Sequence, residues 1–265
     1  MDRMKSCISN SSRRGGPQPW NSSSCFRATR STAGPWDAGL QHAGPPSALL
    51  GRALERCAPR PDMVLARVTF EILGGVPVGE VAVSAALTRP GRSVELLEAA
   101  LEAGGRPVVT ARAWRVARRG APAAGAASPP PPPPGGPATP APFGGYADAV
   151  EFRFTEGGWD LPGPATAWTR LRVPVVAGEV PTALQRVLAV ADSGNGVSGV
   201  LPFGDWMFIN PELTVHLVRE ARGDWIRLAA ATTVAADGAG VALSVISDVD
   251  GAVAHGAQAL LVTPR

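Results

Sequence analysis

The chain has 265 residues, 45% hydrophobic and 18% charged, which suits one large or two ordinary soluble domains with a real core. No apolar run approaches the ~20 residues that span a bilayer, and no basic-then-apolar leader marks a secretion signal, so a cytoplasmic protein is expected. Within residues 1–24 the cations Arg3, Lys5, Arg13 and Arg14, set against Asp2, account for the whole net charge of +3, and a neutral remainder argues against a nucleic-acid groove.

Residues 1–25 are rich in Ser, Gly, Pro and Arg without periodicity and read as a disordered tail. Gly15, Gly16 and Pro17 oppose the amphipathic helix of a transit peptide. Cys7, Cys25 and Cys57 are odd in number and lack C-x-x-C spacing, so reduced thiols are expected rather than a disulfide framework or a zinc site.

The first half, 26–119, opens with a turn at Gly34-Pro-Trp-Asp37. Leu49, Leu50, Ala53, Leu54 and Cys57 then predict a helix over Pro46–Cys57, and Pro59 and Pro61 prevent its continuation. Val64–Leu73 alternates as a half-buried strand, and Val78–Leu87 is a second. Val94–Ala103 and Pro107–Arg118 form a hairpin about Gly104-Gly105, a pair suited to a primed turn. From 120 to 148 the composition turns to Pro, Ala and Gly, with six prolines at Pro129–Pro134, a semi-rigid polyproline II linker.

The second half, 149–265, repeats that order. Strands are predicted at Val150–Phe154 and Ala165–Val173. A helix follows over Pro181–Ala191, with an apolar stripe at Leu184, Val187, Leu188 and Ala191. Asp192 is expected to close it, and Gly194 and Gly196 to supply positive φ beyond it. Five strand-like runs complete the half: Trp206–Asn210, Leu213–Val218, Trp225–Thr233, Gly240–Ile246 and Ala252–Val262.

Two motif matches carry no function. Gly194-Asn-Gly-Val-Ser-Gly199 fits G-x-G-x-x-G but follows a helix and precedes strands, the reverse of a dinucleotide-binding turn. Ser198 lacks the G-x-S-x-G frame, and no metal-ligand spacing is present.

Two stretches carry a family likeness. One is Gln41-His-Ala-Gly-Pro-Pro-Ser-Ala-Leu-Leu with the later Arg89-Pro-Gly-Arg and Gly105-Arg-Pro-Val. The other is Leu188-Ala-Val-Ala-Asp-Ser-Gly-Asn-Gly, followed by Phe208-Ile-Asn-Pro-Glu-Leu-Thr-Val-His and Ala257-Gln-Ala-Leu-Leu-Val. Together these resemble the acyl-CoA thioesterase II type, across roughly residues 26–265 apart from the linker. The resemblance implies an α+β fold of two fused hotdog domains, each a central helix wrapped by an antiparallel sheet. It also implies hydrolysis of acyl-CoA to a fatty acid and CoA, without a metal or other cofactor, and leaves open whether the chain forms a homo-oligomer through its hotdog sheets or completes the sheet internally. The family's helix-end Asp falls on Asp192 and its final-strand Gln on Gln258. Its intermediate hydroxyl falls on Asn210, a departure that leaves the third position open between Asn210 and Thr214.

The residue types suit that chemistry. Hydrolysis of a thioester needs an oriented water, an acceptor for its proton and donors for the oxyanion. A partly buried Asp192 supplies the acceptor, and the amides of Asn210 and Gln258 offer both N–H and C=O. The backbone N–H of Gly44, at a helix start, adds a donor, and His42 beside it is a candidate for substrate binding. Each residue also has an ordinary explanation: Asp192 a helix cap, Asn210 a turn residue before Pro211, Gln258 a satisfied core amide, and lone histidines structural. A non-catalytic acyl-CoA or lipid-binding protein is the alternative from another class. A hydratase-like reaction is the nearest enzymatic rival, but its Asp/His hydration motif is not found.

Overall fold

In a computed structural model, residues 23–121, 124–125 and 128–265 are described. The tail expected over 1–25 falls outside them as far as residue 22. Ser23–Arg27 form a strand, β1, where Cys25 and Phe26 pair with Ala82 and Val81. Polar Ser23 and Ser24 hide that strand in the sequence.

Helix α1 (Gly44–Arg56) follows, with prolines in its first turn and Ala48, Leu50, Gly51 and Leu54 on its buried side. It ends at Cys57, before Pro59 and Pro61. Strands β2 (Met63–Ile72), β3 (Glu80–Arg89), β4 (Val94–Ala103) and β5 (Arg106–Ala117) complete the first half. Gly104 and Gly105 both take positive φ (58° and 75°), which gives the β4–β5 hairpin its primed turn. The proline-rich segment does more than span a gap: Thr139 N–H donates to the Phe152 carbonyl (2.7 Å), and Arg153 donates to that of Pro134 (2.6 Å).

The second half contains α2 (Tyr146–Ala149), β6 (Val150–Gly158), β7 (Leu161–Leu171), α3 (Ala183–Ala191), α4 (Gly194–Val197), β8 (Trp206–Ile209), β9 (Glu212–Leu217), β10 (Ile226–Val234), β11 (Ala239–Asp248) and β12 (Gly251–Pro264). Thr182 caps α3 by accepting from Gln185 N–H (3.2 Å). β7 begins earlier than its sequence implies, running through Pro162 and Pro164. The pairing with β10 starts only at Ala165, so those prolines sit where no partner on that side needs their N–H.

The glycines after α3 depart from expectation, because neither Gly194 nor Gly196 takes positive φ and the chain enters the short helix α4 instead. What Gly194 provides is room, since a Cβ there would stand 2.8 Å from Gln258 Oε1.

All twelve strands form one antiparallel sheet, in the order β1-β3-β4-β5-β2-β9-β12-β11-β10-β7-β6, with β8 beside β12. Its two halves have one plan: β1-β3-β4-β5-β2 matches β7-β10-β11-β12-β9, and α1 follows β1 as α3 follows β7. They join where β2 pairs with β9. The two helices pack on each other inside the curl of the sheet, and Leu50, Leu54, Leu184 and Leu188 share a single core with Phe70, Leu97, Leu213, Leu228 and Ile246. The fold is α+β, two fused hotdog units. Among the described residues no helix is long and apolar enough to cross a membrane.

Candidate active site

The start of α1 and the end of α3 meet at one end of the helix pair. They approach so closely that a Cβ on Gly44 would lie 2.2 Å from the Ala189 carbonyl oxygen. This contact sets His42, just before α1, against Asp192, the residue that caps α3. His42 Nδ1 lies 3.1 Å from Asp192 Oδ2 and accepts the Gly44 N–H at 3.0 Å. Asn210, between β8 and β9, donates to Asp192 Oδ1 at 2.8 Å and to the Glu212 carbonyl at 3.0 Å. Gln258, midway along β12, donates to Asp192 Oδ1 (3.2 Å) and to its backbone carbonyl (3.1 Å). The Ala43 N–H adds another donor to the carboxyl.

Asp192 is only 4% exposed. Burial pushes its carboxyl above the usual range, against the opposing pull of His42, Asn210, Ala43 and Gln258. Burial pushes the His42 imidazole down, opposed by the carboxyl of Asp192. Each group is thus driven toward its neutral form.

A third residue fixes the pair. Tyr146, the sole tyrosine of the chain, stacks on the His42 ring with centroids 3.9 Å apart and planes 10° from parallel. Its hydroxyl donates to the Ala189 carbonyl (2.7 Å) and lies 2.9 Å from Ser193 Oγ. Burial raises the phenol further still, so it stays a neutral donor.

These groups adjoin a cavity of about 860 Å³ whose walls include Leu40, Val76, Phe152, Trp159, Phe203 and Phe208. His42, Asp192 and Asn210 line it. Gln258 does not: it is 2% exposed and sits behind Asp192, where its Oε1 also accepts the Asn195 N–H (3.1 Å). Gly44 spends its N–H on His42 rather than on the cavity. Thr214 is not brought to the cluster. Strand alternation turns it away from buried Leu213 and Val215, and its hydroxyl meets Thr69 Oγ1 and Glu212 Oε2, each at 3.1 Å. Sequence reasoning missed Tyr146, Ser193 and Asn195. The one available signal was a lone tyrosine closing a Pro/Gly-rich segment. Among the described residues no group of three or more His, Cys, Asp or Glu side chains is placed to hold a metal ion.

A helix pair wrapped by one antiparallel sheet defines a hotdog protein, here with an acid, an amide and an imidazole converging on an apolar cavity. Residues 32–116 match the acyl-CoA thioesterase N-terminal domain and residues 117–262 the acyl-CoA thioesterase C-terminal domain. The chain belongs to the acyl-CoA thioesterase family, whose chemistry is thioester hydrolysis. No curated protein matches it in sequence.

Solved structures share the fold. A conserved hot dog fold protein of unknown function from Alicyclobacillus acidocaldarius is 17% identical with a TM-score of 0.73, over 91% of this chain and 93% of that one. The acyl-CoA thioesterase II TesB2 of Mycobacterium marinum is 16% identical with a TM-score of 0.65, over 92% of each chain. The tesB protein of Mycobacterium avium subs paratuberculosis is 15% identical with a TM-score of 0.66, over 96% of each.

Proposed function

We propose that this chain hydrolyses acyl-CoA thioesters to a free acid and CoA by direct attack of a water held at the Asp192 cluster. The observation that carries the reading is that His42, Asp192 and Asn210 line one large apolar cavity, while Gln258 braces the carboxylate from behind. A cavity of about 860 Å³ lies in the range that takes a ligand of substrate size.

Oδ1 of Asp192 already receives N–H groups from Asn210 and Gln258, and Oδ2 faces His42, so the carboxyl acts through its partners. Asn210 gives its amide N–H to Asp192 and turns its Oδ1 to the water. The His42–Asp192 pair takes the water's proton as the new C–O bond forms at the thioester carbonyl. When the C–S bond breaks, the proton goes to the departing sulfur, giving the acid and the free thiol. The positive end of α1 favours negative charge at this point. Gln258 and Tyr146 are positioning residues.

Calorimetry and a thiol-release assay across a series of acyl-CoA chain lengths test the reading on the same sample. Binding with thiol release is expected. Binding at every length with no release would mean an acyl-CoA carrier built on this fold.

A further inference from the structure

The helix pair has a second end, and a second cavity opens there. It is about 440 Å³, lies where α1 finishes and α3 starts, and is walled by Leu54, Leu65, Leu184, Val187 and Leu217. That size falls within the range of small-molecule sites.

Its place is set by the internal repeat. The five pairs joining β2 to β9 run from Arg67↔His216 to Glu71↔Glu212 and centre on Thr69↔Thr214. A half-turn about that midpoint carries Arg67 onto Glu212, and the alternation of buried and open positions over residues 67–72 recurs at 212–217. The same half-turn exchanges the two cavities.

It also shows what the second cavity lacks. Cys57 caps α1 as Asp192 caps α3. Counting back two residues from Arg67 and from Glu212 puts Leu65 where Asn210 stands. Arg112 pairs with Thr69 as Ala257 pairs with Thr214, so Ala113, the next residue, takes the place of Gln258. A thiol, an isobutyl and a methyl replace the acid and both amides.

The polar groups of this lining are already engaged. Arg115 donates to Glu95 (2.8 Å) and to the Cys57 carbonyl (3.3 Å), Arg219 to Asp248 (2.7 Å), and Arg118 to Glu220. Glu55 accepts the Thr182 hydroxyl (2.8 Å) at the start of α3. Arg60 is likewise paired with Asp62 and Glu95, so no lining cation is left over to draw an anionic ligand, and the apolar wall is what remains.

We propose that this cavity is a non-hydrolytic binding site for the alkyl chain of an acyl thioester. The proposal rests on the first cavity being an acyl site. It gives the protein two chain-binding pockets and one hydrolytic centre.

Calorimetry with S-decyl-CoA tests it; this thioether has a methylene in place of the carbonyl and cannot be hydrolysed. The wild-type chain should bind two equivalents. Ala183→Phe and Val64→Phe each fill the second cavity from a different element, so one serves if the other fails to fold, and a folded variant should bind one. A single equivalent on the wild-type chain overturns the proposal, as do two equivalents that neither variant reduces. Thiol release from decanoyl-CoA is read on the same wild-type sample. Release with one equivalent bound removes the second site alone, whereas no release removes the hydrolytic reading.

Discussion

Asp192 illustrates how a buried acid is kept usable. Asn210, Gln258 and a backbone N–H hold its oxygens, and His42 sits within reach of its proton. That set was half legible in the sequence. The acid and both amides stand out as polar residues in apolar runs. The His42 contact spans 150 residues of chain, and spacing cannot show it. Tyr146 was invisible for another reason: it closes a segment whose composition predicts only a linker. Tyr146→Phe keeps the stacked ring and loses the hydroxyl bonds to Ala189 and Ser193. A loss of about 1 kcal/mol in urea unfolding is expected. Looser placement of His42 should lower kcat about tenfold with KM unchanged, within the range that mispositioning brings. An unchanged kcat would leave Tyr146 with a packing role only.

Among the elements, α1 and α3 were readable because their apolar stripes recur at helical spacing behind a proline, though α3 starts at Ala183 under the Thr182 cap and leaves Pro181 outside. The strands were readable from alternation. Their partners were not, since alternation gives a face but no neighbour, and the β2–β9 seam joins parts of the chain far apart in sequence. Thr214 shows the cost of reading by proximity in sequence. It lies near Asn210 along the chain, yet on β9 it points away from the face of buried Leu213 and Val215 and meets Thr69 and Glu212 instead. The crossing of α1 over α3 depends on Gly44 lacking a side chain. Gly44→Ala should destabilise the fold by about 1–3 kcal/mol, the usual cost of overpacking, with thiol release falling alongside. A thermal midpoint equal to wild type would mean that the helices can part without harm.

For the molecule as a whole, the two halves share a core and each supplies part of the site: His42 comes from the first, Asp192, Asn210 and Gln258 from the second. Three buried carboxyls hold outlying parts of the sheet: Glu95 by Arg115, Glu151 by Arg153 and Arg170, and Asp248 by Arg219. Burial acts to raise each carboxyl, but the arginines outweigh it and leave each below its ordinary value. The unfolded chain therefore takes up these protons first as the pH falls. Stability from the three pairs is present above the unfolded values of 4.5 and 3.8 and is lost below them. His42 and Asp192 pull in opposite directions between neutrality and that window. The urea midpoint should fall as the pH drops below about 5. A midpoint that holds down to pH 3 would mean that the three pairs add nothing.

Asp192→Asn bears on the hydrolytic account most directly, because it keeps the shape of the side chain and removes the carboxyl set against His42. Thiol release from an acyl-CoA by the purified variant, with its unfolding midpoint checked against wild type, should fall by about 10² to 10⁴-fold. Release at the wild-type rate would contradict the assignment of Asp192 and with it the proposed site.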